Sequence, residues 1–350
     1  MNNTYTNAYK LSAANLRLFD GNPNTNVTTD SGLTKEMKTY YDMRLIDLAQ
    51  PMLVHDQFAQ KRPIPQGRGK TIEFRKYTPL TKATTALTEG VTPDGKKLDV
   101  KTIEATVKQY GDYVTISDVL KLTAIDDNLT QAQRLLANQA GLTLDTITRD
   151  IINAGTNVQY AEGQVDSRAN LVGGDPEPSN NHYLTVRALK IAARALKKQN
   201  TPLINGTFAG IIHPDVAFDL TDDPEWKYPH QYVDTEEIYS NEIGKVANIR
   251  FVETTEAKRW DNAGKNTSSG SNDRDVYSTL VMGADAYGVT EISGGGLEFI
   301  VKQLGSSGTA DPLNQRATAG WKAIKTAEIL VDQYMIRIET TSTFNDHGAD

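Results

Sequence analysis

The stretch NLTQAQRLLANQAGLTLDTITRDIINAG, residues 128–155, constrains this chain more than any other. Leu129, Ala132, Leu136, Ala140, Leu144, Ile147 and Ile151 recur at spacings of three and four, which places them on one face of an α-helix. Asn128 is an expected N-cap with Gln131 three residues on, and Gly155 an expected C′ stop. Roughly 27 residues at about 1.5 Å each give about 40 Å. That is long for a compact domain of a 350-residue chain.

Upstream, KTIEFRKYT (70–78) and KTIEATVKQYGDYVTIS (101–117) alternate apolar and polar residues, through Ile72 and Phe74 and through Ile103, Ala105 and Val107. Both predict strands. Between them lies ALTEGVTPDGKKLDV, residues 86–100, with little to offer a core. Its TPDG carries a turn signature, Pro93 presetting φ and Gly95 free to take a positive φ. Residues 71–108 therefore read as one antiparallel excursion with a polar tip, a pairing that is marginal in water without another surface to lie on.

Residues 1–32 are rich in Asn and Thr and read as an arm without a core of its own. From Leu33, residues Met37, Tyr40, Tyr41, Leu45 and Leu48 share a helical face, and Pro51 ends that helix. GGDPEPSNN (173–181) marks a boundary, after which YLTVRALKIAARALKKQN (183–200) predicts a helix. Its apolar positions are Leu184, Leu189, Ala193 and Leu196, and Arg187, Lys190, Arg194, Lys197 and Lys198 read as a solvated face, with contact to phosphate as the alternative. TFAGIIH (207–213) predicts a buried strand, HPDVAFDL a helix with Pro214 in its first turn, and ANIRFVET (247–254) another strand. NAGKNTSSGSNDRD (262–275) reads as an exposed loop, and 320–341 ends in alternation through Met335, Ile336 and Ile338. The class is α+β, with no internal repeat.

Absence of cysteine removes disulfides and thiolate chemistry. No apolar run approaches the roughly 20 residues of a membrane helix, and the first residues lack the pattern of a secretory signal, so a cytoplasmic site of synthesis is expected. A net charge of -7 argues against coating nucleic acid directly. Residues 61–82 nevertheless hold Lys61, Arg62, Arg68, Lys70, Arg75, Lys76 and Lys82 against Glu73 alone, either a solvated basic strip or one that meets an acidic surface on another copy.

Catalytic signatures fail one by one. GRGKT (67–71) lacks the earlier glycine of a phosphate-binding loop, its place being held by Ile64, and GGG (294–296) lacks the setting of a dinucleotide fingerprint. His55, His182, His213, His230 and His347 are scattered, so neither metal nor cofactor is expected. DDPEW (222–226) reads as a helix terminus with solvated acids, and no serine sits in a GxSxG elbow. Asn-X-Ser/Thr triplets at Asn2, Asn26, Asn128, Asn205 and Asn266 carry no weight without a secretory signal.

In this setting ALTEGVTPDGKKLDV followed by QYGDYVTISDVL, GIIHPDVAFDL, EIGKVANIRFVETTEAKRW (242–260) and GWKAIKTAEILVDQYMIRIET resemble the major capsid proteins of tailed bacteriophages, whose shell fold is shared with herpesviruses. The resemblance spans about residues 50–340 and rests on texture and order. It implies an N-terminal arm (1–60), an extended loop (61–110), a peripheral domain with a long spine helix (111–157 and 280–345) and an axial domain (158–279). The polar tip would then lie across an adjacent subunit through Glu89, Thr92, Pro93, Asp94, Gly95, Lys96 and Lys97, with Arg68, Lys70, Arg75 and Lys76 as the basic strip.

The resemblance further implies a non-enzymatic subunit of an icosahedral virion shell, assembled in the host cytoplasm around DNA that it does not bind sequence-specifically. Its expected partners are copies of itself in hexamers and pentamers, a separate scaffolding protein, a portal and a decoration protein. An encapsulin, the cellular nanocompartment with the same fold, is the nearest alternative, and a hydrolase without known motifs is a second.

Overall fold

The structure, a computed structural model, describes residues 25–26, 54–63, 70–77, 80–92, 94–123, 128–174, 180–226, 242–266, 273–290, 297–306 and 311–345. The expected arm, apart from 25–26 and 54–60, and the helix expected from Leu33 to Leu48 lie outside the described residues. The chain divides into two compact units, one of residues 1–48, 111–137 and 298–322, the other of 49–110, 138–297 and 323–350.

The smaller unit is built on a four-stranded sheet ordered β1 (Thr25–Asn26), β5 (Lys108–Ser117), β15 (Arg316–Lys325) and β14 (Leu297–Lys302). A short helix α1 (Asp118–Thr123) follows β5, and Ser117 Oγ accepts the Leu120 N–H at 3.3 Å in the manner of an N-cap. Ile116 and Leu120 pack with Ala132 of α2 (Asn128–Ile152) to form its small core.

The larger unit centres on a mixed sheet ordered β6 (Val158–Tyr160), β17 (Met335–Thr340), β12 (Arg274–Met282), β8 (Phe208–Ile212), β10 (Ile249–Glu253) and β9 (Glu242–Val246). Alternation sorts side chains to its two faces. Phe208 and Ile212, Tyr277 and Val281, Ile336 and Ile338 join α3 (Val186–Lys198) and α4 (Pro214–Asp222) in one core. Ala209 and Ile211, Leu280 and Met282, and Met335 join Ile152, Tyr287 and Val54 in a second. Because both faces are covered, β8 reads as an unbroken apolar run. Each leucine buried in α3, such as Leu189 or Leu196, contributes about 1.5–3 kcal/mol.

Local signals fix the helix ends. Thr185 caps α3 by accepting the Ala188 N–H at 3.2 Å, and Asp223 accepts the Val186 N–H at 3.0 Å. The acid group at 222–226 thus serves a helix terminus, with Asp223 tied down rather than solvated. Helix α2 runs 25 residues, about 37 Å, with Leu136, Ala140, Leu144 and Ile152 buried. Gly155 does not act as the C′ stop: the helix ends at Ile152, and Gly155 makes room, since a Cβ there would lie 2.7 Å from Asp332 Oδ1.

The expected loop over 262–275 is a second difference. Residues Arg259–Asn266 form β11, which pairs antiparallel with β12 and parallel with β7 (Val172–Gly173). Within that span only 267–272 lies outside the described residues. Ladder partners from distant sequence override a loop-like composition.

Two histidines give the fold a pH dependence. His182 Nδ1 accepts the Val172 N–H at 2.8 Å, and His213 Nδ1 accepts the Asp215 N–H at 3.3 Å. Burial holds both imidazoles below their ordinary 6.5; at His213, Asp215 opposes this and Arg259 adds to it. A depressed histidine pKa means stability present above the unfolded value and lost as pH falls through the folded one. Unfolding free energy should therefore decline below pH 6.5, by at most about 1.4 kcal/mol per pH unit for each histidine. Replacing His182→Gln with His213→Asn should flatten that decline in denaturant titrations; an unchanged slope would assign it to other groups.

Among the described residues, no helix is long and apolar enough to cross a membrane, and no group of three or more His, Asp or Glu is placed to hold a metal ion.

Candidate functional site

The excursion predicted from sequence is present. Strands β3 (Thr71–Tyr77) and β4 (Val100–Thr106) pair antiparallel from Thr71↔Thr106 to Tyr77↔Val100. Ile72 and Phe74 face Ala105 and Ile103 across the ladder, forming a small core with Val107 and Leu330. The other face, with Glu73, Arg75, Thr102 and Glu104, is exposed. Val107 divides the expected single strand 101–117 into β4 and β5, its N–H donating to Lys70 O at 2.9 Å.

Phe74 anchors the ladder. It is 1% exposed, and its ring lies over Gly288 of β13 (Tyr287–Thr290), where a Cβ would sit 2.3 Å from the ring. β13 is the middle strand of a three-stranded sheet, flanked by β16 (Ala327–Ile329) and β2 (Gln60–Arg62). A rigid strand therefore holds the base of the excursion, through a contact that only glycine permits.

Beyond the ladder, the described part of 80–99 has no regular secondary structure and is exposed throughout. Glu89, Thr92, Asp94, Gly95, Lys96 and Lys97 are exposed as part of it, while Pro93 lies outside the described residues. The positive φ falls at Gly90 (79°), not Gly95, and Val91 N–H donates to Thr88 O at 3.1 Å to close the turn there. Lys96 does not point away from the loop: its amine donates to Thr81 O and Thr81 Oγ1, both at 2.6 Å, bracing the two limbs. The tip is also less polar than its composition suggested, with Leu80, Leu87, Val91, Leu98 and Val100 between 43% and 77% exposed.

The basic strip is spread over two elements. Lys61 and Arg62 lie exposed on β2, and Lys70 and Arg75 lie at and on β3, with Arg75 3.7 Å from Glu73 in a solvated pair of little energetic weight. Lys82 is exposed on the excursion, the side chain of Lys76 in β3 is not among those described, and Arg68 lies outside the described residues.

Sequence reasoning missed a polar knot beneath this base. His55 Nδ1 is 2.7 Å from Asp145 Oδ2, and the His55 N–H donates to Asp145 Oδ1 at 3.0 Å. Thr148 Oγ1 donates to Asp56 Oδ1 at 2.8 Å, Lys325 Nζ binds Asp56 Oδ2, and the Tyr287 hydroxyl donates to His55 O. His55, Thr148, Tyr287 and Lys325 are all 0% exposed. Burial pushes the Tyr287 phenol well above its ordinary range, and the nearby Asp56 and Asp145 carboxylates push it further, so it stays a donor. Closed to solvent and lying wholly within the larger unit, this arrangement ties the segment leading into β2 to Asp145 and Thr148 of α2, to β13 and to Lys325, the last residue of β15. No local pattern announces it, because its members are up to 269 residues apart.

A family model described as "Phage capsid protein" matches residues 99–327, more than half of the chain. Solved phage capsids share the fold. The capsid of Ralstonia phage GP4 aligns with a TM-score of 0.69 at 14% identity, covering 93% of this chain and 100% of that one. The capsid of cyanophage P-SCSP1u aligns at 0.60 and 15% identity over 89% and 95% of the two chains. The capsid of Helicobacter pylori bacteriophage KHP30 aligns at 0.57 and 9% identity over 90% and 98%. No curated protein is significantly similar in sequence.

Proposed function

The chain belongs to the phage capsid protein family, and from that premise we propose that it is a major capsid protein, a structural subunit whose copies build the icosahedral shell around the packaged DNA of a tailed phage. One observation carries the reading beyond family membership. An excursion seated at its base by Phe74 displays Leu80, Leu87, Val91, Leu98 and Val100 to solvent, which is costly for a subunit that stays alone and useful for one that meets copies of itself. In the proposed assembly this excursion is the extended loop (61–110) lying across a neighbour, residues 1–60 are the arm, 111–157 with 280–345 the peripheral domain around α2, and 158–279 the axial domain. Heterologous contacts of this kind close into rings, here pentamers and hexamers. A scaffolding protein, a portal and a decoration protein complete the proposed list of partners, and the assembled virion is the proposed location.

Electron microscopy of the purified full chain tests this. Closed icosahedral particles are expected, alone or with a co-expressed scaffold. A protein that remains monomeric at high concentration would overturn the proposal, and uniformly small shells loaded with a host enzyme would favour the encapsulin alternative.

A further inference from the structure

Lys325 is fully buried, and among the described residues its amine has a single partner, the Asp56 carboxylate. An ammonium carries three N–H donors, so two of them have no partner among the described residues in this buried site. Closing an amide between the two groups would remove both buried charges and the unmet donors at once. Thr148 Oγ1 donates to Asp56 Oδ1 at 2.8 Å, on the oxygen where negative charge would develop if Cγ were attacked. Val54 and Phe58 flank Asp56 and Ala327 follows Lys325, all within one buried apolar cluster that excludes water.

We propose that Lys325 and Asp56 condense into an intramolecular amide, a covalent link across 269 positions of the chain. The Nζ lone pair attacks Cγ, and Oδ1 takes up the charge under the Thr148 hydroxyl. One proton passes from Nζ to Oδ2 and frees that lone pair, a second follows after the attack, and Oδ2 leaves as water when its bond to Cγ breaks. Amine and acid become amide and water, with no oxidant, metal or cofactor involved. Two buried charges become one neutral, conjugated group, and the segment leading into β2 is sewn to the end of β15. The link is internal to one subunit, so it stands or falls independently of the shell reading.

Intact mass spectrometry of the full chain, denatured after purification, decides the matter. The expected mass is lighter than the sequence mass by one water, and digestion should release a branched peptide joining Asp56 to Lys325. Asp56→Asn should lose one ammonia instead, Asp56→Ala should keep its full sequence mass, and Thr148→Val should slow bond formation by about 100-fold. Wild-type protein that holds its full sequence mass after prolonged incubation overturns the proposal, whatever the variants do.

Discussion

Deletion of residues 86–100 is expected to yield a subunit that folds and does not assemble. Every described side chain in that stretch is exposed, so its removal empties no core. The contacts that seat the excursion, from Ile72, Phe74 and Ala105, lie outside the deleted span and remain. What disappears is the apolar surface of Leu87, Val91, Leu98 and Val100. Burying each of these on a neighbouring copy stabilises the contact by up to roughly 1.5–3 kcal/mol. Repeated at every subunit, that loss turns a cooperative shell into free capsomers or monomers. Circular dichroism and thermal melting would show the fold retained within a few degrees, and sedimentation with electron microscopy would show no shells. Normal particles from the deletion variant would remove the excursion from any role in assembly. The milder pair Leu87→Asp and Leu98→Asp should weaken assembly in the same direction, because charge placed on these side chains opposes their burial.

The second large effect is expected at Asp145. Its carboxylate accepts from both the backbone N–H and the ring of His55, in a site closed to water. Asp145→Ala leaves two buried donors without acceptors and should destabilise the unassembled subunit by about 3–5 kcal/mol. Asp145→Asn, which keeps one acceptor oxygen, should cost less than half as much. Chemical denaturation of the two variants beside wild type measures the difference. An alanine variant as stable as wild type would mean that the knot is not a structural anchor. Exposed pairs such as Lys190 with Glu225 provide the contrast: both side chains are more than half exposed, and their removal should change stability by well under 1 kcal/mol.

Legibility of the chain divides by range. Helix α2 was readable because Ala132, Leu136, Ala140 and Leu144 repeat with the helical period, and β3 and β4 because Ile72, Phe74, Ile103 and Ala105 alternate. Helix α3 announced its buried face at Leu189, Ala193 and Leu196 and its solvated one at Arg194, Lys197 and Lys198. β11 was missed because its polar, glycine-containing sequence becomes a strand only by pairing with β12 and β7. In the excursion the positive φ falls at Gly90 rather than at Gly95, while Pro93 of the TPDG signature lies outside the described residues.

The amino-acid sequence alone determined the α+β class, the long helix, the projecting strand pair and the absence of any catalytic signature, because each of these is a property of neighbouring residues and their period. Only the tertiary structure decided that Phe74 rests on Gly288, that Lys96 folds back onto its own loop, and that His55, Asp56, Asp145, Thr148, Tyr287 and Lys325 meet in one buried knot. Those choices depend on partners tens to hundreds of residues away, and hydrogen bonds and close contacts carry no imprint in the residues that flank them.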